Sequence, residues 1–94
     1  MGDQSARHAR GLGNPERVFG LVLRESRGER GISQEALAFE SGYHRTYIGQ
    51  LERGEKSPSL RTMFNLAAAL RVRASELVSE TERRLLLPKK RGVR

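Results

Sequence analysis

The run from Gln34 to Arg53, QEALAFESGYHRTYIGQLER, contains two short helical patterns separated by one glycine. Small and apolar residues in it are expected where two crossing helices would touch. Ser33 is a good N-cap, and Glu35 in the first turn suits the positive end of the helix dipole, so the first helix is predicted to start there. Leu37 faces inward, and Ala38 puts almost no side chain where a second helix must cross closely. Gly42 permits a left-handed turn that a residue with a Cβ resists, so the chain reverses there. The second pattern runs from about His44 to Arg53. At 100° per residue, Ile48 and Leu51 fall together as its buried stripe.

The other side of the second helix carries Thr46, Gly49, Gln50 and Arg53, with Arg45 and Tyr47 on the flanks and no carboxylate. An ordinary solvated face favours Glu, Lys and Ala. Arginine and glutamine make paired hydrogen bonds to guanine and adenine edges, and a threonine methyl touches a thymine methyl. Gly49 costs about 1 kcal/mol of helix propensity relative to alanine, and close approach to a DNA backbone would offset it. This is the layout of a helix-turn-helix, with double-stranded DNA as the expected partner and the second helix in the major groove. The bland alternative is a polar helix surface with an incidental glycine.

On these residues the chain resembles the lambda-repressor-like helix-turn-helix transcription regulators of the Cro and repressor type, over about Val18 to Val78. The matching landmarks are RGERGISQEALA, SGYHRTYIGQLERG, SPSLRTMFNLAAAL and ASELV. Within that family, HRTYI followed by LERG is similar to the controller proteins of restriction-modification systems, a pattern shared with other bacterial regulators. The resemblance implies an all-α, compact five-helix domain. It also implies that Gln34 contacts a phosphate and braces the recognition helix, that Arg45, Thr46 and Gln50 read base edges, and that Tyr47 makes a flanking contact. Arg53, Lys56 and the first turn of the fourth helix would meet phosphates, partly through free backbone N–H groups. His44 departs from the family habit of Ser, Thr or Asp at the N-cap, which leaves the start of the recognition helix open by a residue. Arg27 and Glu52 resemble a buried structural ion pair of the family. Removing one partner of such a pair costs roughly 3 to 5 kcal/mol, against about 1 kcal/mol at most for an exposed pair.

A chain of 94 residues suggests one domain with a small core. Without cysteine there is no disulfide framework or thiolate metal site, which suits a reducing compartment. No apolar run approaches a membrane span, and the start MGDQSARHARG lacks the apolar segment of a signal peptide, so a cytoplasmic protein is expected. The net charge of +7 is unevenly placed. Residues 14–79 hold ten Lys and Arg against eight Asp and Glu, whereas residues 80–94 hold six against two. The DNA reading therefore rests on where Arg45, Arg53 and Lys56 point more than on total charge.

Along the chain, residues 1–13 read as a mobile arm, 14–79 as the DNA-binding domain, and 80–94 as a helical extension with a basic tail. Asn14, Pro15 and Glu16 open the first helix, whose Val18, Phe19, Val22 and Leu23 recur at helical spacing; it should end near Gly28 to Gly31. Ser57-Pro58-Ser59 breaks the chain and caps a fourth helix, with Leu60, Met63, Phe64, Ala67 and Leu70 expected on its core side. A fifth runs from Ala74 to Ser79, with extension toward Leu87 and a stop at Pro88. The tail PKKRGVR would add nonspecific phosphate attraction. Leu66 and Ala69 are expected to point outward and, with Leu85 to Leu87, to leave surplus apolar surface. A twofold homodimer burying it would set two recognition helices about 34 Å apart on a palindromic operator. The alternative is a monomer in which the fifth helix covers these residues.

An enzyme is not expected. The two histidines, His8 and His44, belong to no cluster with metal-ligand spacing, and no glycine loop is placed to cradle a phosphate or cofactor. The competing readings are an antitoxin or phage-type regulator acting mainly through protein–protein contact, and a DNA-bound domain that recruits RNA polymerase.

Overall fold

Three helix starts in this chain fall where a side chain completes the terminal hydrogen bonds, and two helix ends fall on a glycine. The computed structural model describes residues 13–86. It contains α1 Pro15–Arg30, α2 Gln34–Ser41, α3 Arg45–Glu52, α4 Leu60–Leu70 and α5 Ala74–Leu86. Asn14 Oδ1 accepts from Arg17 N at 3.0 Å, Ser33 Oγ from Ala36 N at 3.0 Å, and Ser59 Oγ from Thr62 N at 3.0 Å. Each cap satisfies one of the donors that a helix start leaves open. Gly31 closes α1 and Gly42 closes α2, both in the left-handed region, with φ of 75° and 83°. α4 ends on Arg71 at φ 63°, the one non-glycine residue with positive φ among those described.

α1 packs across α3 and α5, α2 crosses α3 and α4, and α4 lies against α5. Leu23, Leu37, Ile48, Leu51 and Leu66 are wholly buried at the junction. Two glycines let α1 come close to the end of α3. A Cβ on Gly20 would lie closer than 3.0 Å to the carbonyl oxygens of Leu51 and Glu52. On Gly54, at φ 76°, a Cβ would lie 2.8 Å from Arg17 Cα. Larger residues at either point would push α1 off α3.

α4 departs from the expected stripe. Leu66 is fully buried and Ala69 nearly so, whereas Leu60 and Phe64 are 67% and 58% exposed. The inward face is thus Thr62, Leu66, Ala67, Ala69 and Leu70, with Met63 beside it. It is rotated by roughly a quarter turn from the expectation, at 100° per residue. α4 is apolar nearly all round, so hydrophobicity alone leaves its phase open. The hydroxyl of buried Thr62 decides it. Thr62 Oγ1 lies 2.9 Å from Ser59 Oγ and accepts from Tyr43 Oη at 3.2 Å, which makes the buried polar position inexpensive. Leu66 and Ala69 therefore belong to the core and not to a dimer interface. Leu85 is half-buried on α5.

α5 runs unbroken through residue 80, where the domain was expected to give way to an extension. Arg84 reaches back to α1, its Nη1 3.3 Å from Glu25 Oε2, and its Nε lies 2.7 Å from Glu80 Oε2. Arg83 also pairs with Glu80. The hydrogen bonds from Arg83 and then Arg84 hold the Glu80 carboxyl down at about 2, and the Arg84 guanidinium lowers Glu25 in the same way. The arm at 1–12, Leu87 and the basic tail lie outside the described residues. Among those described, no helix is long and apolar enough to cross a membrane.

Candidate nucleic-acid interface

α3 is held firmly on its inner side. Ile48 and Leu51 are wholly buried, and Glu52 at the last turn has a side chain only 4% exposed. Its carboxylate accepts from Arg27 Nε at 2.6 Å and Arg27 Nη2 at 3.1 Å, a forked contact from α1, and from Gln34 Nε2 at 3.0 Å at the start of α2. Arg27 Nη1 also donates to Ile32 O at 3.0 Å in the turn between α1 and α2. The hydrogen bond to Glu52 raises the Arg27 pKa, so the guanidinium stays charged at any ordinary pH. One carboxylate thus ties three elements together behind the recognition helix. Gln34 is placed to brace that helix, its amide nitrogen committed to Glu52.

His44 is the N-cap of α3 and makes no side-chain cap hydrogen bond, so that helix start lacks the usual partner. His44, Arg45, Thr46 and Arg53 are exposed on the outer side, and Gln50 is half-exposed. Lys56 is exposed in the loop that follows, just before the start of α4. Of the residues expected to face a groove, His44, Arg45, Thr46, Arg53 and Lys56 are thus open to solvent and Gln50 partly so.

Gly49, expected on the groove face as a point of DNA approach, is buried. What covers it is Arg53: a Cβ on Gly49 would lie 3.1 Å from Arg53 Nη1. Tyr47 is also turned inward. It is half-buried, its ring centroid is 5.2 Å from that of Tyr43, and its hydroxyl points to Thr62 Oγ1 at 3.5 Å, the outer limit of a hydrogen bond. Tyr43, which the sequence reading passed over, has the stronger contacts. Its hydroxyl donates to Thr62 and accepts from Asn65 Nδ2 at 3.0 Å. The tyrosine pair thereby ties the start of α3 to α4; Tyr43 lies on the turn before α3, so helical periodicity does not report it.

The surface is less cationic than α3 alone implies. Arg45 Nε lies 2.9 Å from Glu35 Oε2 on α2. Arg53 donates through Nε to Glu55 Oε2 at 2.8 Å and through Nη2 to Glu55 Oε1 at 3.3 Å. Those bonds raise the Arg53 pKa and lower that of Glu55. Glu35 and Glu55 lie off α3, so the residue pattern of that helix does not report them. The surface offers guanidinium, amide, hydroxyl and methyl groups. These can recognise a polar edge.

The profile of the helix-turn-helix family matches residues 23–77. The chain is 41% identical over 66 residues to an HTH-type transcriptional regulator of Sinorhizobium fredii, y4dJ, covering 70% of this chain and 86% of that protein. It is 40% identical over 65 residues to the control protein C.BamHI of Bacillus amyloliquefaciens, covering 68% and 80%. Among solved structures it is similar to the restriction-modification controller protein C.AhdI of Aeromonas hydrophila. That match has 48% identity and a TM-score of 0.64, covering 65% of this chain and 92% of that one. Five helices in this order, a recognition helix braced by a carboxylate from behind, and these likenesses lead to one conclusion: the chain belongs to the helix-turn-helix family of transcriptional regulators.

Proposed function

We propose that the protein binds double-stranded DNA sequence-specifically as a transcriptional regulator, with α3 in the major groove. The observation that carries this reading is the contrast between the two sides of α3. Its inner side is fixed by Ile48, Leu51 and the Arg27–Glu52 pair, and its outer side presents Arg45, Thr46 and Gln50 to solvent. A rigid helix with a polar, adaptable outer edge is what direct readout needs. Arg45, Thr46 and Gln50 are assigned to base edges. Lys56 and the start of α4 are assigned to phosphates, with Arg53 and His44 on their flank and Tyr43 and Tyr47 positioning the helix. Likeness to control proteins of restriction-modification systems supports a regulator of that kind.

The homodimer reading is retained on a different surface. Leu60, Phe64 and Val78, on α4 and α5, are exposed apolar side chains beside Met63, Ala67 and Val72. Burying such a patch against a second copy would present two recognition helices to half-sites about 10 bp apart, on a roughly palindromic operator. To test the reading, the protein is titrated with a randomised duplex pool and the retained fraction is sequenced. Enrichment of a motif with two related halves is expected; a retained fraction as random as the input at moderate salt refutes it.

A further inference from the structure

Arg53 is held in an unusual way for a residue on a nucleic-acid surface. Glu55 takes the Nε and Nη2 edge of its guanidinium, and the remaining nitrogen, Nη1, rests against Gly49 where any other residue would place a Cβ. The guanidinium is thereby folded along the helix and does not extend outward. The carboxylate that holds it comes from a fixed turn. Glu55 N donates to Gln50 O at 2.8 Å, Gly54 N donates to Leu51 O at 3.1 Å, and Gly54 is wedged against Arg17 of α1. A glycine seat, a two-point carboxylate contact and a turn anchored to α3 are three separate features, and they converge on one side-chain pose.

We propose that Glu55 is a specificity-determining residue of the recognition surface: it keeps Arg53 folded over Gly49, so that this arginine is withheld from the phosphates of duplexes that lack the right bases. The inference rests on the DNA reading above. When Arg45 and Gln50 find their bases, α3 can seat deeply with Arg53 still folded against it. A duplex without those bases offers only its backbone, and to reach a phosphate Arg53 must leave Glu55, whose carboxylate then also faces the phosphates. The pair therefore penalises loose binding more than seated binding. An exposed ion pair contributes little to folding stability, but its position in the interface makes it count in the comparison between two duplexes.

The experiment uses the full chain and two probes, a duplex recovered from the randomised pool and a random-sequence duplex of the same length, with affinity measured by fluorescence anisotropy across a salt series. Glu55→Gln is expected to tighten binding to the random duplex and to steepen its salt slope by about one. The gain at 50 mM salt should be about threefold larger than at 200 mM, as one further phosphate contact requires. Binding to the recovered duplex should change much less, so selectivity falls. The same substitution in an Arg53→Gln background should give a clearly smaller gain, because the arginine it frees is gone and only the repulsion between Glu55 and the phosphates is relieved. Circular dichroism confirms that both variants are folded. If the wild type binds neither probe, the DNA reading fails and the filter with it. If the wild type binds but Glu55→Gln leaves the random-duplex affinity and slope unchanged, the filter alone is overturned. A gain of the same size without Arg53 also overturns it, since the effect would then be one of general charge.

Discussion

Replacing Arg27 by methionine isolates the contribution of the polar contact behind the recognition helix. The Arg27 side chain is 17% exposed and that of Glu52 4%, so the substitution leaves a carboxylate out of water with Gln34 Nε2 as its one remaining side-chain donor. The turn at Ile32 also loses a hydrogen bond. Breaking one side of such a pair costs about 3 to 5 kcal/mol. A domain of this size is stable by about 5 to 15 kcal/mol, with small cores near the lower end, so much of the total would be lost. At about 4 to 8 °C per kcal/mol for 60–100 residues, the melting temperature should fall by roughly 12 to 40 °C. Arg27→Met combined with Glu52→Leu should recover most of the loss, because no unpaired charge remains to be buried. Urea and thermal unfolding followed by circular dichroism measure both variants. A loss below about 1 kcal/mol for the single variant, the value of an exposed pair, or a double variant no more stable than the single one, would refute the assignment of Glu52 as a buried, dependent charge.

Three further outcomes follow from the same geometry. Arg45→Ala should cost about 1 to 3 kcal/mol on the preferred duplex and relax one base position, whereas Lys56→Ala should weaken all duplexes alike and lower the salt slope by roughly one; equal, sequence-blind losses would remove Arg45 from the base-reading set. Leu66→Glu should prevent folding, since it places an unpaired carboxylate at a fully buried site, while Phe64→Glu should fold and lose self-association in sedimentation equilibrium. A folded Leu66→Glu would return that residue to the surface. Acid should destabilise the fold through α5: the Glu80 carboxyl sits at about 2 against an ordinary 4.5, so its stabilisation is present above pH 4.5 and lost as pH falls toward 2. Glu25, lowered by Arg84, acts with the same sign, and Arg84→Gln should therefore flatten the fall in melting temperature over that window.

What could be read from the sequence is what local chemistry decides. Asn14, Ser33 and Ser59 cap helices because their own oxygens reach a backbone N–H three residues on, and Gly31 and Gly42 end them because no distant contact is needed to favour a left-handed residue there. The end of α4 carried no such mark, since Arg71 adopts the left-handed conformation without being glycine. The phase of α4 was lost for a related reason. Its apolar residues surround the helix, and the deciding partner of Thr62 is Tyr43, on the turn before α3. Arg27 and Glu52 are 25 residues apart, and it was the family resemblance that brought them together. The groove side of α3 was legible as a set of residue types but not as a set of poses. Whether Arg53 extends or folds back depends on Glu55 and on the room above Gly49, neither of which periodicity reports.

The two glycines at the α1–α3 contact separate alignment from readout. Where Gly20 meets the carbonyls of Leu51 and Glu52, and Gly54 meets the backbone of Arg17, main chain rests on main chain. The orientation of α3 is therefore referenced to atoms that every residue possesses. Arg45, Thr46 and Gln50 project from the opposite side and take no part in that fit. Such a scaffold is easy to recode. On the proposed DNA reading, exchanging the outward residues would change which bases are preferred without disturbing the angle at which the helix is offered, whereas adding a single methyl group at Gly20 would misdirect all of them at once. A designer seeking new preferences should therefore leave the glycines untouched.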